Sequence, residues 1–134
     1  MSRYVTETHA LHWHLTNDSK LSLAARQVFL EADAGLHQVL VPGVVLIEMV
    51  YLVEKGRLNG DLVDQVFGLL DTVEGSYAVA PLNLETARAL HNIPRSAIPD
   101  MPDRIIAATA HQLGLPVIAR DAKIHSAGVV SILW

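Results

Sequence analysis

Short apolar runs alternate with longer amphipathic stretches along this chain. The short runs are rich in β-branched residues, which favour strands, and the longer stretches carry apolar residues at helical spacing. Strands are predicted at residues 3–6, 38–41, 77–80, 115–121 and 129–134. Helices are predicted at residues 9–15, 23–34, 44–55, 62–72, 83 or 84 to 92, and 103–113. This alternation predicts an α/β fold in which a mostly parallel central sheet is flanked by helices.

The stretch 98–121 has the most readable local pattern. Two prolines bracket Asp100 and stop an upstream helix from continuing, and Asp103 then begins a helix that Gly114 ends. The β-branched run that follows predicts a buried strand ending at Asp121. Because this strand runs back antiparallel to the helix, Asp121 is expected level with the helix start, where Asp103 can meet it across a crevice.

The two acids at the start of this helix also have a purely structural interpretation. A carboxylate in that position caps backbone N–H groups and complements the helix dipole. For Asp100, capping and a role in chemistry remain open alternatives. For Asp103 we favour chemistry, because other stretches of the chain supply further acids at comparable places.

One of those acids, Glu48, lies in the middle of the stretch 44–55, which is apolar almost all round and therefore predicts a buried helix. An ionised carboxylate is costly in such surroundings unless it is paired or binds a metal. Glu48 either bonds an arginine or faces a solvent gap, or else it projects into a crevice as a metal ligand. We favour the metal ligand.

The first predicted strand ends directly before Glu7. Thr8 follows it, and either caps the next helix or holds an acid or a water through its hydroxyl. His9, His12 and His14 suggest a metal-binding cluster at first sight. No regular element directs all three to one side, since His9 and His12 share a helical face and His14 points elsewhere. We expect packing or solvent-facing roles for them.

Composition narrows the class of protein. The 134 residues suit a single domain spanning 1–134, and the 51% apolar content is compatible with self-association. Without cysteine, disulfides and thiolate chemistry are excluded. Polar and helix-breaking residues interrupt the apolar region 39–53, so we expect no membrane span. The absence of cysteine is consistent with a reducing cytosol, and we expect a cytoplasmic location. A net charge of −4 argues against a protein that binds nucleic acid through overall positive charge. It permits a nuclease that contacts a phosphate through a bound metal ion.

The predicted acids together point to a metal ion. Carboxylates that cluster repel one another unless a cation neutralises them. Oxygen ligands in a chain without cysteine suit Mg²⁺, with Mn²⁺ as a substitute. The predicted ligands are Glu7, Glu48, Asp103 and Asp121, with Asp100 as a further candidate.

The segments of the chain that carry these acids resemble those of the PIN-domain ribonucleases, in particular the VapC-type toxins of toxin–antitoxin pairs. The resemblance lies in YVTETHALHW, in the Glu48 helix with VEKGRL after it, in PDRIIAATAHQLGLPVIARD and in the final strand, and it spans nearly the whole chain. It implies a PIN-like three-layer fold. The metal-binding acids of the family correspond to Glu7, Glu48, Asp103 and Asp121, and Asp100 matches a secondary acid found in part of the family.

The resemblance also implies an activity and partners. The expected protein is a Mg²⁺-dependent endoribonuclease that hydrolyses RNA phosphodiester bonds, is inhibited by a cognate antitoxin and forms a homodimer. Thr8, Arg104 and Arg120 are candidate substrate-binding residues. Each arginine follows or precedes an acid in the sequence, and either binds a phosphate or balances local charge.

Two departures from the family pattern motivate an alternative. Glu7 stands where the family normally has aspartate, and its extra methylene shifts a ligand in a metal shell that tolerates little distortion. Ala119 stands where a hydroxyl residue is usual. The alternative is a degenerate PIN-like interaction module with weak or no nuclease activity. A third interpretation, a phosphatase-like or receiver-like domain, lacks paired acids after the first strand.

Overall fold

The computed structural model describes the backbone of residues 1–120 and 122–134, and the side chains of the same residues except 122, 123 and 125. The elements in chain order are β1 (Ser2–Thr6), α1 (Thr8–Leu15), α2 (Leu23–Asp33), β2 (His37–Pro42), α3 (Gly43–Glu54), α4 (Gly60–Asp71), β3 (Tyr77–Ala80), α5 (Leu84–His91), α6 (Met101–Leu113), β4 (Val117–Ile118), α7 (Ala122–Ala127) and β5 (Ile132–Leu133).

The five strands form one sheet in the order β3-β2-β1-β4-β5, and every neighbouring pair is parallel. In the register, Tyr4 lies opposite Val39, and Val39 lies opposite Tyr77. The α/β fold with a parallel central sheet flanked by helices is therefore confirmed. Since parallel strands all end at one edge, the residues that follow them, and the starts of the helices, share that edge.

Local sequence signals account for where several helices begin and end. The Ser22 side chain accepts a hydrogen bond from the Ala25 amide (3.1 Å) and caps α2. Asn83 and Thr86 form a reciprocal capping box at the start of α5. Gly114 ends α6 in the left-handed conformation, with φ of +67°, where a side chain would be strained.

Two predicted boundaries near the site differ from the structure. The strand predicted at 115–121 is reduced to β4, because only Val117 and Ile118 pair with both neighbouring strands. Helix α6 begins at Met101 rather than Asp103, since Pro102 lies in the first turn, where its missing N–H is not needed. The helix start therefore brings Asp100 to the N-cap position.

Helix α3 corrects the prediction that residues 44–55 are buried all round. Val45 and Met49 are buried against the core, but Ile47 and Tyr51 expose 58% and 59% of their surface. These two residues are four apart and share one face, which the described residues of the chain leave uncovered. The apolar composition therefore reflects one face packed on the core and one exposed apolar face.

Two clusters of buried residues support the fold. The larger one packs helices on the sheet around Phe29, Leu11 and Met49. The smaller one places Ile93 and Ile98, from the proline-containing loop, against α6. Each such side chain contributes about 1.5–3 kcal/mol when fully buried, which holds the loop close to the start of α6. Among the described residues, no helix is both long enough and apolar enough to cross a membrane.

Candidate active site

A cavity of about 500 Å³ opens at the edge of the sheet where the strands end. It is lined by Glu7, Thr8, His9, Trp13, Glu48, Asp100, Asp103 and Arg120. Four of the five acids singled out from the sequence thus line one cavity. The fifth, Asp121, lies outside the described residues.

Glu7 enters the cavity from the end of the central strand. It is 6% exposed, and its amide donates to the Ile118 carbonyl (3.1 Å), so the chain keeps its sheet position one residue beyond β1. Its Oε1 accepts a hydrogen bond from the Arg120 amide (3.2 Å). A buried carboxylate is costly unless it is bonded, and this amide satisfies one oxygen while fixing the side chain across the ends of β1 and β4.

Glu48 reaches the cavity from the second turn of α3 and is half-buried. Its Oε1 accepts a hydrogen bond from the Thr8 hydroxyl at 2.6 Å. Thr8 therefore holds an acid, the second of the two roles considered for it, and is not the cap of α1, since Glu7 occupies the N-cap position. A hydroxyl bond to one oxygen fixes the orientation of the other.

The start of α6 contributes Asp100 and Asp103. Asp100 Oδ2 accepts a hydrogen bond from the Asp103 amide (3.1 Å) and so caps the helix, while the same residue lines the cavity. Asp103 lies in the first turn and is half-buried. The positive end of the helix dipole favours negative charge at this place, which lowers the cost of bringing both acids to the cavity.

Arg104, a candidate substrate-binding residue, is not among the residues that line the cavity. Its guanidinium donates to the Ile93 carbonyl from Nε (3.1 Å) and Nη2 (2.8 Å), and to the Leu90 carbonyl from Nη2 (3.0 Å). Arg104 thus fastens the end of α5 and the following loop to the first turn of α6. These bonds support the first turn of α6, on which Asp103 lies.

Arg120 does line the cavity, beside an aromatic side chain that the sequence did not single out. Its guanidinium lies 5.8 Å from the centre of the Trp13 ring, and the Arg120 side chain is exposed. His9 and Trp13, four residues apart on α1, both face the cavity. The i, i+4 spacing was the available signal, but it does not distinguish a site-facing pair from a core-facing one.

The donor set fits a hard divalent cation in its chemistry. Glu7, Glu48 and Asp103 supply carboxylate oxygens from three different elements to one cavity. Across residues 1–120 and the described part of 122–134, however, no three His, Asp or Glu side chains already stand close enough together to hold a metal ion.

The three histidines of α1 lie in different environments. His9 lines the site cavity, whereas His14 bonds to Asp33 Oδ2 through Nε2 (2.9 Å) and stacks on Phe29 with ring centres 4.6 Å apart. Burial, followed by the neighbouring His9, lowers the pKa of His12 below its usual value. His14 instead belongs to a second cavity, at the opposite edge of the sheet.

This second cavity has a volume of about 520 Å³ and lies where α1, α2 and α4 end and β3 begins. Its acid, Asp33, accepts a hydrogen bond from the Tyr77 hydroxyl at Oδ1 (2.7 Å) in addition to the bond with His14. Burial of the phenol, together with the bond to Asp33, raises the pKa of Tyr77 well above its ordinary value near 10.

Similar solved structures and sequences identify the fold and the family of the chain. A chain in the crystal structure of VapBC2 from Rickettsia felis, bound to a DNA fragment from their promoter, superposes with a TM-score of 0.71 at 13% identity, covering 97% of this chain and 96% of that one. A chain of FitAcB from Neisseria gonorrhoeae gives 0.63 at 20% identity, covering 96% and 95%.

In sequence, the chain is 25% identical over 126 residues to Ribonuclease VapC22 of Mycobacterium tuberculosis (strain ATCC 25618 / H37Rv), an alignment that covers 94% of this chain and 92% of that protein. The family model for the PIN domain matches residues 4–130, which include every described residue of the site cavity. The chain therefore belongs to the PIN domain family.

Proposed function

We propose that the protein is a Mg²⁺-dependent endoribonuclease that hydrolyses RNA phosphodiester bonds, and that it is the toxin of a type II toxin–antitoxin system. The observation that carries this proposal is the meeting of Glu7, Glu48 and Asp103, from three separate elements, in one cavity of a PIN domain. The similarity to a ribonuclease over nearly the whole chain supports RNA as the substrate. All 134 residues act as a single domain in this proposal.

The proposed metal ligands are Glu7, Glu48, Asp103 and Asp121, with Asp100 as a further ligand. When bound, Mg²⁺ or Mn²⁺ lowers the pKa of a water and stabilises negative charge on phosphoryl oxygens. Hydrogen bonds from other groups of the chain orient these carboxylates before a metal ion binds.

Three contacts provide that orientation. Thr8 orients the Glu48 carboxylate, and the Arg120 amide orients Glu7. The Asp100 cap fixes the first turn of α6, on which Asp103 lies. The exposed Arg120 guanidinium is placed to bind a phosphate of the RNA at the rim of the cavity, where bonds to a phosphate oxygen are charge-assisted. Holding these groups ready lowers the reorganisation required when the substrate binds.

A second candidate function is a PIN-like interaction module that cuts RNA weakly or not at all. Its support is that, among the described residues, no three potential ligands already stand together as a metal site. Ala119 is fully buried and has no hydroxyl to offer to the site. The longer Glu7 side chain, in place of aspartate, also favours this alternative.

The proposed partners are an antitoxin and a second copy of the chain, in the cytoplasm. The similarity to crystal structures of VapBC2 and of FitAcB supports a two-protein toxin–antitoxin system. The exposed apolar face of α3 at Ile47 and Tyr51 supports protein contact, because exposed apolar surface is stabilised when a partner covers it.

Incubating the purified protein with a panel of RNAs tests the proposal. Cleavage is expected with Mg²⁺ or Mn²⁺, and none with EDTA. Asp103→Asn is expected to abolish cleavage, whereas Asp64→Asn, the same change at an exposed position of α4, is expected to leave it intact. Cleavage that survives EDTA, or that persists in Asp103→Asn, contradicts the proposed function. Absent cleavage combined with tight binding of a partner protein supports the interaction module.

A further inference from the structure

An aromatic group borders the carboxylates of the site. Trp13 lies in the middle of it: the His9 ring is 5.6 Å away, centre to centre, and the Trp134 ring is 5.9 Å away in an edge-on arrangement. Trp13 and His9 line the same cavity as Glu7 and Glu48. Because Trp13 is half-buried, part of its indole packs on the core while the remainder faces the cavity.

Two cations lie near the same indole. Arg120 Cζ is 5.8 Å and Lys20 Nζ is 5.9 Å from the centre of the Trp13 ring. Both distances are close to the limit of about 6 Å for a cation–π contact, and both side chains are exposed. Such contacts are weak, so either cation can move aside or exchange the indole for a phosphate at little cost.

An indole with nearby cations is the combination that binds single-stranded nucleic acid. An aromatic ring stacks with any base, and neighbouring cations contact the backbone. In a duplex the faces of the bases are covered by their neighbours, so stacking on a protein ring requires an unpaired or splayed-out base. The stacking itself is between uncharged ring faces and does not require a positively charged surface.

We propose that Trp13 is the stacking surface for an unpaired RNA base next to the bond held at the carboxylates, and that Arg120 and Lys20 contact the adjoining phosphates. This inference rests on the proposed function, and it narrows the substrate to single-stranded RNA or to loops. Trp13 is then a specificity-determining residue that selects the structure of the RNA rather than its sequence.

Tryptophan fluorescence tests the stacking directly. The chain has two tryptophans, so Trp134→Phe leaves Trp13 as the single tryptophan, which is excited selectively at wavelengths too long for tyrosine to absorb, and keeps an aromatic ring beside it. This variant is titrated in EDTA, where RNA stays intact under the proposed function, with a short unstructured RNA and with a matched oligonucleotide that has abasic ribose in place of every base. We expect quenching by the RNA, and binding of the abasic chain about tenfold weaker with no quenching. Equal affinities, or RNA binding without quenching, overturn the inference.

A second arm separates this inference from the proposed function. Trp13→Phe keeps a stacking ring and Trp13→Leu removes it; thermal denaturation is used to confirm folding of both. Affinity for the RNA, measured by anisotropy in EDTA, is expected to fall about tenfold in Trp13→Leu and much less in Trp13→Phe. Base-dependent binding without any cleavage in Mg²⁺ supports the stacking and contradicts the nuclease. Cleavage by a Trp13→Leu protein that binds RNA as tightly as wild type supports the nuclease and overturns the stacking.

Discussion

Two cavities of nearly equal volume, about 500 and 520 Å³, lie at opposite edges of the sheet and use their acids differently. At the edge where the strands begin, Asp33 is bonded by His14 and by Tyr77, so it ties α1, α2 and β3 together. At the edge where the strands end, Glu7 and Glu48 accept bonds from a backbone amide and from a hydroxyl.

The difference shows that cavity size alone does not identify the site. Asp33 has both oxygens bonded to side chains of the scaffold, one of them an imidazole that can carry positive charge, so its main effect is on stability. The bond that Glu48 accepts from the Thr8 hydroxyl comes from a neutral donor at one oxygen and orients the other oxygen toward the cavity, as expected of a metal ligand. Both cavities contain acids, and the hydrogen-bond partners of each acid distinguish a structural role from a role in metal binding.

The largest expected effect is a loss of activity on neutralising an acid of the site. Glu48→Gln is expected to reduce RNA cleavage by more than about 100-fold, since even the partners that orient metal ligands contribute about 10- to 100-fold. Asp33→Asn, the matched change in the second cavity, is expected to leave cleavage per folded molecule within about twofold of wild type, because distant sites act independently. Equal losses in the two variants, measured by initial rates, would remove the distinction between the cavities.

The next effect concerns the support of α6. Arg104→Gln removes the charged donor of the Ile93 and Leu90 carbonyls and is expected to lower the free energy of unfolding by about 2 kcal/mol. Its control is Arg88→Gln, because Arg88 makes an exposed ion pair with Glu85 and such pairs contribute about 0.3–0.5 kcal/mol. Urea denaturation measures both values. Equal values would show that Arg104 does not anchor the loop.

A smaller effect is expected from the hydroxyl that orients Glu48. Thr8→Val keeps the shape of the side chain but removes the donor at 2.6 Å, and is expected to weaken Mg²⁺ binding about tenfold. Thr8→Ser retains a hydroxyl and is expected to bind Mg²⁺ within about threefold of wild type, a difference under 1 kcal/mol. Metal titrations of cleavage rate measure both. A Thr8→Val protein with the metal dependence of wild type would show that the Thr8–Glu48 hydrogen bond does not contribute to Mg²⁺ binding.

The smallest effect belongs to the second cavity. Tyr77→Phe removes the bond to Asp33 and is expected to lower the free energy of unfolding by about 1 kcal/mol at pH 7, with cleavage unchanged. Because the folded-state pKa of Tyr77 is raised, its contribution is complete below pH 10 and is lost as the pH rises further. Denaturation of both proteins is therefore expected to converge above pH 10. A gap that widens with pH would contradict this assignment.

Local signals in the sequence were sufficient to predict where Glu7, Glu48 and Asp103 lie. Glu7 follows a short predicted strand, Asp103 follows a helix-starting proline and Glu48 interrupts an apolar stretch, so three short patterns and a parallel sheet predict their meeting. The bonds that orient them depend on distances between elements far apart in the chain. Thr8 and Glu48 are 40 residues apart, and no local pattern predicts that contact.

Other features depended on packing that a single sequence does not specify. The bonds of Arg104 follow from the path of the loop at Ile93, and the position of Trp13 follows from how α1 packs against α2 and α3. The sequence predicts a buried face at Ile47 and Tyr51, whereas the structure exposes it, because an apolar pattern does not tell whether a face is covered by the same chain. Strand β4 is shorter than predicted because β1 and β5 pair only with Val117 and Ile118.

Calorimetric titration with Mg²⁺ and Mn²⁺ is the most direct test of whether carboxylates from separate elements share one divalent ion. Wild type and Asp33→Asn are expected to bind with the same affinity, whereas Glu48→Gln and Asp103→Asn are each expected to bind at least about tenfold more weakly. Equal metal binding in all four proteins, whether tight or absent, would contradict the central claim.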